Sequence, residues 1–185
     1  MHATDPQKGK LLIAEPSLTG DLSFNRSIVL LAEHNTDGSV GFILNKPLEY
    51  NISDLVDDIS ANFEVYNGGP VEQDNLYFIH KVPHLIEDSV EISNGIYWGG
   101  NFEKIVSLIN NNKISKEDIR FFLGYSGWGK HQLIDELNIN SWFISENDIK
   151  NIFSNNNDSM WRTKILQKGG DYKLWANAPN DIQLN

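Results

Sequence analysis

With 185 residues and no cysteine, the chain is long enough for one domain with its own core, and disulfides, thiolate-bound metals and a cysteine nucleophile are all excluded. Fifteen basic residues against 25 acidic ones give a net charge of -10, and the basic ones are scattered along the chain, so direct binding of nucleic-acid phosphates is not expected. The N-terminus has no secretory apolar core, no apolar run approaches the ~20 residues of a membrane helix, and a soluble cytoplasmic protein with no membrane contact is the expectation.

In chain order, residues 10–14 read as a buried strand ended by Pro16. Residues 27–34 form a second strand, apolar on both faces and therefore central. Asn35-Thr36-Asp37-Gly38 is a turn, and residues 40–44 return from it as a hairpin partner. A short helix is expected over 51–59, with Asn51 as its cap and Asp54 in its first turn. Strands follow at 63–66, 76–82 (halted by Pro83) and 90–93. Asn101 caps a helix whose Phe102, Ile105, Val106, Leu108 and Ile109 share one face.

Residues 119–125 read as a strand, Ser126-Gly127-Trp128-Gly129 as its exit loop, and 130–137 as a helix. A strand at 142–144 precedes a helix starting at Ser145, with Asp148 placed as in a capping box. A last helix begins at Asp158, carries Met160, Trp161, Ile165 and Leu166, and is closed by Gly169-Gly170. A strand-rich front and a helix-rich back favour an α+β fold with a mixed sheet. The expected organisation is a disordered segment over 1–8, one domain over 9–177 and a frayed tail over 178–185.

No catalytic or metal-binding set stands out. Gly124-Tyr125-Ser126-Gly127-Trp128 resembles a nucleophile elbow, but Trp128 occupies the place where the tight turn needs glycine. His80 and His84 have i,i+4 spacing, but Pro83 and a strand context keep them off one helical face, so no metal site is expected. Glu33 and His34 are strand neighbours pointing to opposite faces, so they cannot act jointly as acid and base. Arg26, just before the central strand and near Asp21, offers a guanidinium fork that suits an anion as well as loop carbonyls.

Several ordered blocks resemble the bacterial YqgE/AlgH family. They are Leu11-Leu12-Ile13-Ala14-Glu15-Pro16, the run 24–34, the run 38–47, Gly68-Gly69-Pro70-Val71, Ile79-His80, the block 124–133 and Asn140-Ser141-Trp142. The similarity spans about residues 9 to 176. It implies a compact domain with a mixed, barrel-like sheet ringed by helices. It also brings the label of transcriptional regulator, through a link to alginate control, with no established enzyme activity. Members often carry alanine at the position of Ser126, and their usual Asp-Pro stands here as Asp21-Leu22. A cysteine-based sensing role suggested for some members cannot transfer to a chain without cysteine.

The expected function is therefore a non-catalytic regulatory or binding domain acting through a protein or small-molecule partner, as a monomer or weak homodimer and without a cofactor. The alternative is an enzyme or small-ligand binder with a cleft lined by Arg26, His34, Asn45, His80 and Trp128, which lie near strand ends or glycine loops.

Overall fold

Strand β1 (Leu11–Ala14) and the first five residues of β2 (Ile28–Asn35) are apolar throughout because both of their faces are covered. Leu11, Ile13, Ile28 and Leu30 point into one core, and Leu12, Ala14, Val29 and Leu31 into another. β2 turns back at residues 36–37 into β3 (Gly38–Ile43), and the Asn35 side chain accepts hydrogen bonds from the Asp37 and Gly38 amides. The computed structural model describes residues 5–16, 23–147, 152–154 and 157–178.

Within these residues the chain continues through β4 (Pro47–Asn51), β5 (Glu64–Asn67), β6 (Val71–His80), β7 (Val90–Ser93), β8 (Ile96–Trp98), helix α1 (Phe102–Asn110), β9 (Ile119–Gly129), α2 (Gln132–Asn138) and β10 (Trp142–Ser145). It closes with α3 (Asn157–Lys168) and α4 (Tyr172–Ala176). The ten strands form one branched sheet with the order β10-β1-β2-β3-β9-β6-β8-β7, and β5 carries β4 as a side branch from β9. All pairings are antiparallel except β5 with β9, which is parallel, so the sheet is mixed.

The sheet curls. Its two ends meet where the Asn147 amide donates to Ser93 Oγ at 3.0 Å, just beyond β10 and at the end of β7. The curl encloses a core in which Ile13, Ile28 and Phe42 face Ile79, Ile96 and Phe122, with Trp161 and Ile165 of α3 joining it. Outside, α2 covers the β1–β3 half through Leu133, and α1 covers the β5–β6–β9 half through Ile105, Leu108 and Ile109. This is the α+β, barrel-like arrangement read from the sequence. The α1 cap is as expected, Asn101 Oδ1 accepting from the Lys104 amide at 3.0 Å.

Several elements differ from expectation. The helix predicted over 51–59 is a single 3-10 turn, Ile52–Asp54, with the Asn51 amide held by Asp54 Oδ2 at 2.7 Å. Its capping signal is real, but only Ile52 and Ile59 of the segment are fully buried, too little to hold a longer helix. The exit loop predicted at 126–129 is the second half of β9, which pairs with β3 there. Ser145 ends β10; the helix expected after it, with Asp148, lies largely outside the described residues, as do residues 1–4 and the tail beyond 178. Of the N-terminal segment, residues 5–8 are described, Pro6 is buried, and the Lys10 amide donates to the Gln7 carbonyl. Among the described residues no helix is long and apolar enough to cross a membrane, which says nothing about a β-barrel.

β9 changes partners midway. Its first half lies beside β5 and its second beside β3, and Gly124 (φ +71°) marks the change. A Cβ on Gly68 would sit 2.1 Å from the Gly124 carbonyl oxygen, so neither backbone has room to retreat. Gly68→Ala is expected to destabilise the protein by about 1–3 kcal/mol through overpacking. Gly129→Ala, whose added methyl meets nothing nearer than 3.9 Å, should stay within about 0.5 kcal/mol. Urea denaturation midpoints of the two variants check the contrast.

Candidate functional site

The turn over residues 23–26 delivers the chain into β2 with Arg26 in the left-handed region at φ +54°, which a non-glycine residue holds only when fixed by its neighbours. Asn45 fixes it. Its side-chain amide donates to the Arg26 carbonyl at 2.9 Å, and its Oδ1 accepts from the Ile28 amide at 2.8 Å. The Arg26 guanidinium then reaches over the Trp161 ring, 5.1 Å from its centroid, and donates to the Ala178 carbonyl at 2.8 Å.

Between this turn and α3 lies a pocket of about 580 Å³, in the size range of ~300–1,000 Å³ typical of small-molecule sites. Arg26, Lys46 and Arg162 bring three cations to it, Asn25, Asn45, Asn157 and Asn177 bring amides, and none of its described lining residues is acidic. Lys46 donates to the Ser23 carbonyl at 2.8 Å, and Arg162 donates to the Ala176 carbonyl at 3.2 Å and to the Asn177 side chain.

Behind the pocket runs a polar chain from half-buried Asn157 through buried Tyr66 to exposed Glu64. Asn157 Nδ2 donates to the Tyr66 hydroxyl at 3.0 Å, and that hydroxyl donates to Glu64 Oε2 at 2.7 Å. Arg120, only 4% exposed, lies with its guanidinium 4.3 Å from the Tyr66 ring centroid and donates to the Leu44 and Ser154 carbonyls, both at 2.7 Å. Burial raises the Tyr66 phenol above its ordinary value, Arg120 pulls it the other way and Glu64 adds to the rise, so the hydroxyl stays protonated. Burial also lowers Arg120, with Tyr66 and Glu64 opposing.

The five residues singled out from the sequence do not share one cleft. Arg26 and Asn45 line the pocket just described. His34 lines a second depression of about 460 Å³ with Ser39, Lys130 and His131. Its Nδ1 lies 2.7 Å from Ser39 Oγ, a contact that follows from the two being direct cross-strand partners on β2 and β3. His80 is fully buried against Tyr97, its ring stacked at 5.8 Å, and its Nδ1 accepts from the Val82 amide. Trp128 packs in a cluster with Phe24 and Trp142. The indole N–H groups of Trp128 and Trp142 both donate to Glu136 Oε2, at 2.9 and 2.7 Å.

Ser126 is fully buried inside β9 and donates to the Gly68 carbonyl at 3.0 Å, so it occupies no strand-to-helix elbow. His84 is exposed while His80 is buried, and among the described residues no three His, Asp or Glu side chains gather as a metal would require. Asp21, read as a neighbour of Arg26, lies outside the described residues. Lys46, Asn157, Trp161 and Arg162 belong to the pocket but were not anticipated. The i,i+4 spacing of Asn157 and Trp161 is the signal that places two of them on one helix face.

Two consequences are measurable. Glu136→Ala orphans two indole donors of nearly buried tryptophans and should cost roughly 2–4 kcal/mol, read by urea unfolding with tryptophan fluorescence. His80 is pushed down to about 4 by burial, against an ordinary 6.5, a contact with the Gly99 backbone opposing only in part. The unfolded chain therefore takes up this proton first as pH falls. Stability should drop from about pH 6.5 to about pH 4 and gain no further slope from this residue below that. His80→Phe should remove that part of the acid sensitivity when midpoints are compared at neutral and acid pH.

The sequence matches the AlgH-like family, DUF179, over residues 11–173. It is 43% identical over 180 residues to a UPF0301 protein of Cytophaga hutchinsonii, covering 96% of this chain and 98% of that one. It is 40% identical over 184 residues to a UPF0301 protein of Chlorobium phaeobacteroides, covering 97% and 96%. The fold is similar to the solution structure of the AlgH protein from Pseudomonas aeruginosa, with TM-score 0.73, 23% identity and coverage of 98% and 100%. It is also similar to the crystal structure of protein DIP2367 from Corynebacterium diphtheriae, with TM-score 0.75, 19% identity and coverage of 96% and 95%. With 96% of its length aligned to the Cytophaga relative and the pattern matched from β1 into α4, the chain belongs to the AlgH-like family of UPF0301 proteins.

Proposed function

We propose that this chain is a non-catalytic binding domain whose partner is a small anionic molecule, taken up in the pocket between Arg26 and α3. One observation carries the reading. In a chain of net charge -10, three cationic side chains converge on one pocket whose described lining contains no carboxylate. Planar guanidinium groups beside amide side chains are the donor set that recognises phosphate or carboxylate oxygens. The pocket also joins parts of the chain far apart in sequence: the turn before β2, the residues after β3, and both C-terminal helices. A ligand that ties these together stabilises the folded form by mass action. That coupling suits the regulatory role implied by the family resemblance, with the partner being a small molecule rather than DNA.

The test is a titration with inorganic phosphate at low ionic strength, followed by amide NMR shifts. Residues around Arg26, Asn45 and Trp161 should shift saturably, and the affinity should fall as salt is added. Lys46→Gln together with Arg162→Gln should weaken phosphate binding by about tenfold or more, since each removes a charge-assisted hydrogen bond. Shifts that never saturate, or that survive both substitutions unchanged, would sink the proposal.

A further inference from the structure

On the reading that the Arg26 pocket binds an anion, we infer that α4 is a strap clasped by that anion, so that filling the pocket and docking the C-terminal helix are coupled. The observation is where the strap is fastened. Arg26 donates to the Ala178 carbonyl at 2.8 Å, and Arg162 donates to the Ala176 carbonyl at 3.2 Å and to the Asn177 side chain. Two of the pocket's three cations therefore hold the end of α4 to the turn before β2 and to α3.

The other holds on α4 are few. It has five residues and no side chain caps its first turn, far short of the ~12–15 residues at which even an isolated helix is marginal. Ala176 is its one buried residue, while Leu174 and Trp175 are 76% and 42% exposed. Its start is tied by the Tyr172 hydroxyl, which donates to Glu15, and by the T-shaped contact of the Tyr172 ring with Phe143. The joint to α3 is Gly169-Gly170, both at positive φ, where an added Cβ would meet nothing within 4 Å. A joint of that kind turns without disturbing its surroundings.

The sign of the coupling follows from charge. The carbonyls of the docked strap aim Arg26 and Arg162 at one pocket with Lys46, and no carboxylate in the described lining offsets their repulsion. Undocking the strap lets both guanidiniums turn toward water. An anion between the cations reverses that balance and favours the docked form. It joins the clasp rather than replacing it: a guanidinium has five N–H donors, and the strap takes two from Arg162 among the described contacts. Coupling is reciprocal, so whatever loosens α4 also weakens the ligand.

The experiment follows amide hydrogen exchange by NMR on the full chain, with and without inorganic phosphate at low ionic strength. The Asn177 and Ala178 amides donate to the Leu174 and Trp175 carbonyls. Phosphate at roughly ten times its Kd should slow their exchange by about tenfold, the factor linkage sets when only the docked form binds. The Asp37 and Gly38 amides of the β2–β3 turn should not change. Tyr172 does not line the pocket, yet Tyr172→Phe, which removes the tie to Glu15, should speed exchange at Asn177 and weaken phosphate by about threefold. Phosphate that shifts the Arg26 and Asn45 amides saturably but leaves α4 exchange unchanged, or speeds it, overturns the inference and leaves the anion site standing. An affinity indifferent to Tyr172→Phe does the same. Shifts that never saturate overturn the anion reading itself.

Discussion

The close approach of Gly68 and Gly124 governs how this sheet is put together. The Gly68 amide donates to the Leu123 carbonyl, and the Gly68 carbonyl receives both the Ile43 amide and the Ser126 hydroxyl. Three strands therefore converge on one residue that has no side chain. At that point β9 gives up β5 as a neighbour and takes β3. The positive φ at Gly124 also shifts the side-chain alternation by one residue. Before it, Phe121 and Leu123 face the α1 layer and Phe122 faces the enclosed core; after it, Tyr125 packs on the enclosed core and Trp128 faces the α2 layer. Without the shift, one half of β9 would put its large side chains on the wrong face.

The pocket is a by-product of the same split. Because the Ile43 amide is taken by Gly68, the chain leaves β3 and crosses the gap over the next three residues. Each has a fixed task there. The Leu44 carbonyl receives Arg120, the Asn45 side chain holds the Arg26 turn, and the Lys46 carbonyl receives the Asn67 amide. Arg26 is consequently presented in a conformation its own backbone would not choose, facing α3 across a polar space. Arg120 closes the inner side, its buried charge held by carbonyls and the Tyr66 face rather than by an ion pair among the described contacts.

Sequence legibility followed how local each determinant was. The β2–β3 hairpin, the capped α1 and the glycine-terminated α3 were readable, because turn chemistry and helix periodicity are written in neighbouring residues. β4 has no counterpart in the sequence reading: it is a side-branch edge strand whose only partner among the described residues is β5, so its residues carry no buried-strand pattern. β8 had a usable sign in Asn94-Gly95, both with positive φ, which turns β7 back on itself. The second half of β9 was read as loop because Gly124, Gly127 and Gly129 look like punctuation, whereas in the fold glycine is needed where backbones touch. Arg26 and Asn45 are two of the five residues that the sequence groups near strand ends or glycine loops, and they do meet. His34, His80 and Trp128 were grouped with them on the same reasoning, and chain topology sends each elsewhere. Which strand ends are neighbours is a long-range fact, and no local pattern encodes it.

The charge balance bears on how such a pocket would work. At physiological ionic strength a charge is felt over about 8 Å, so the acidic surface has little influence on an anion already seated among Arg26, Lys46 and Arg162. It matters during approach. A chain of net charge -10 repels an anion at long range, so electrostatic steering cannot be what makes an anionic ligand bind. Affinity has to come from contacts made after arrival: bidentate donors, amide groups and the exclusion of water beside Trp161. Sites of that kind hold their ligands through slow departure rather than fast capture. They also discriminate by shape and hydrogen-bond pattern more than by charge, since every anion pays the same long-range repulsion and only the right one recovers it in the pocket.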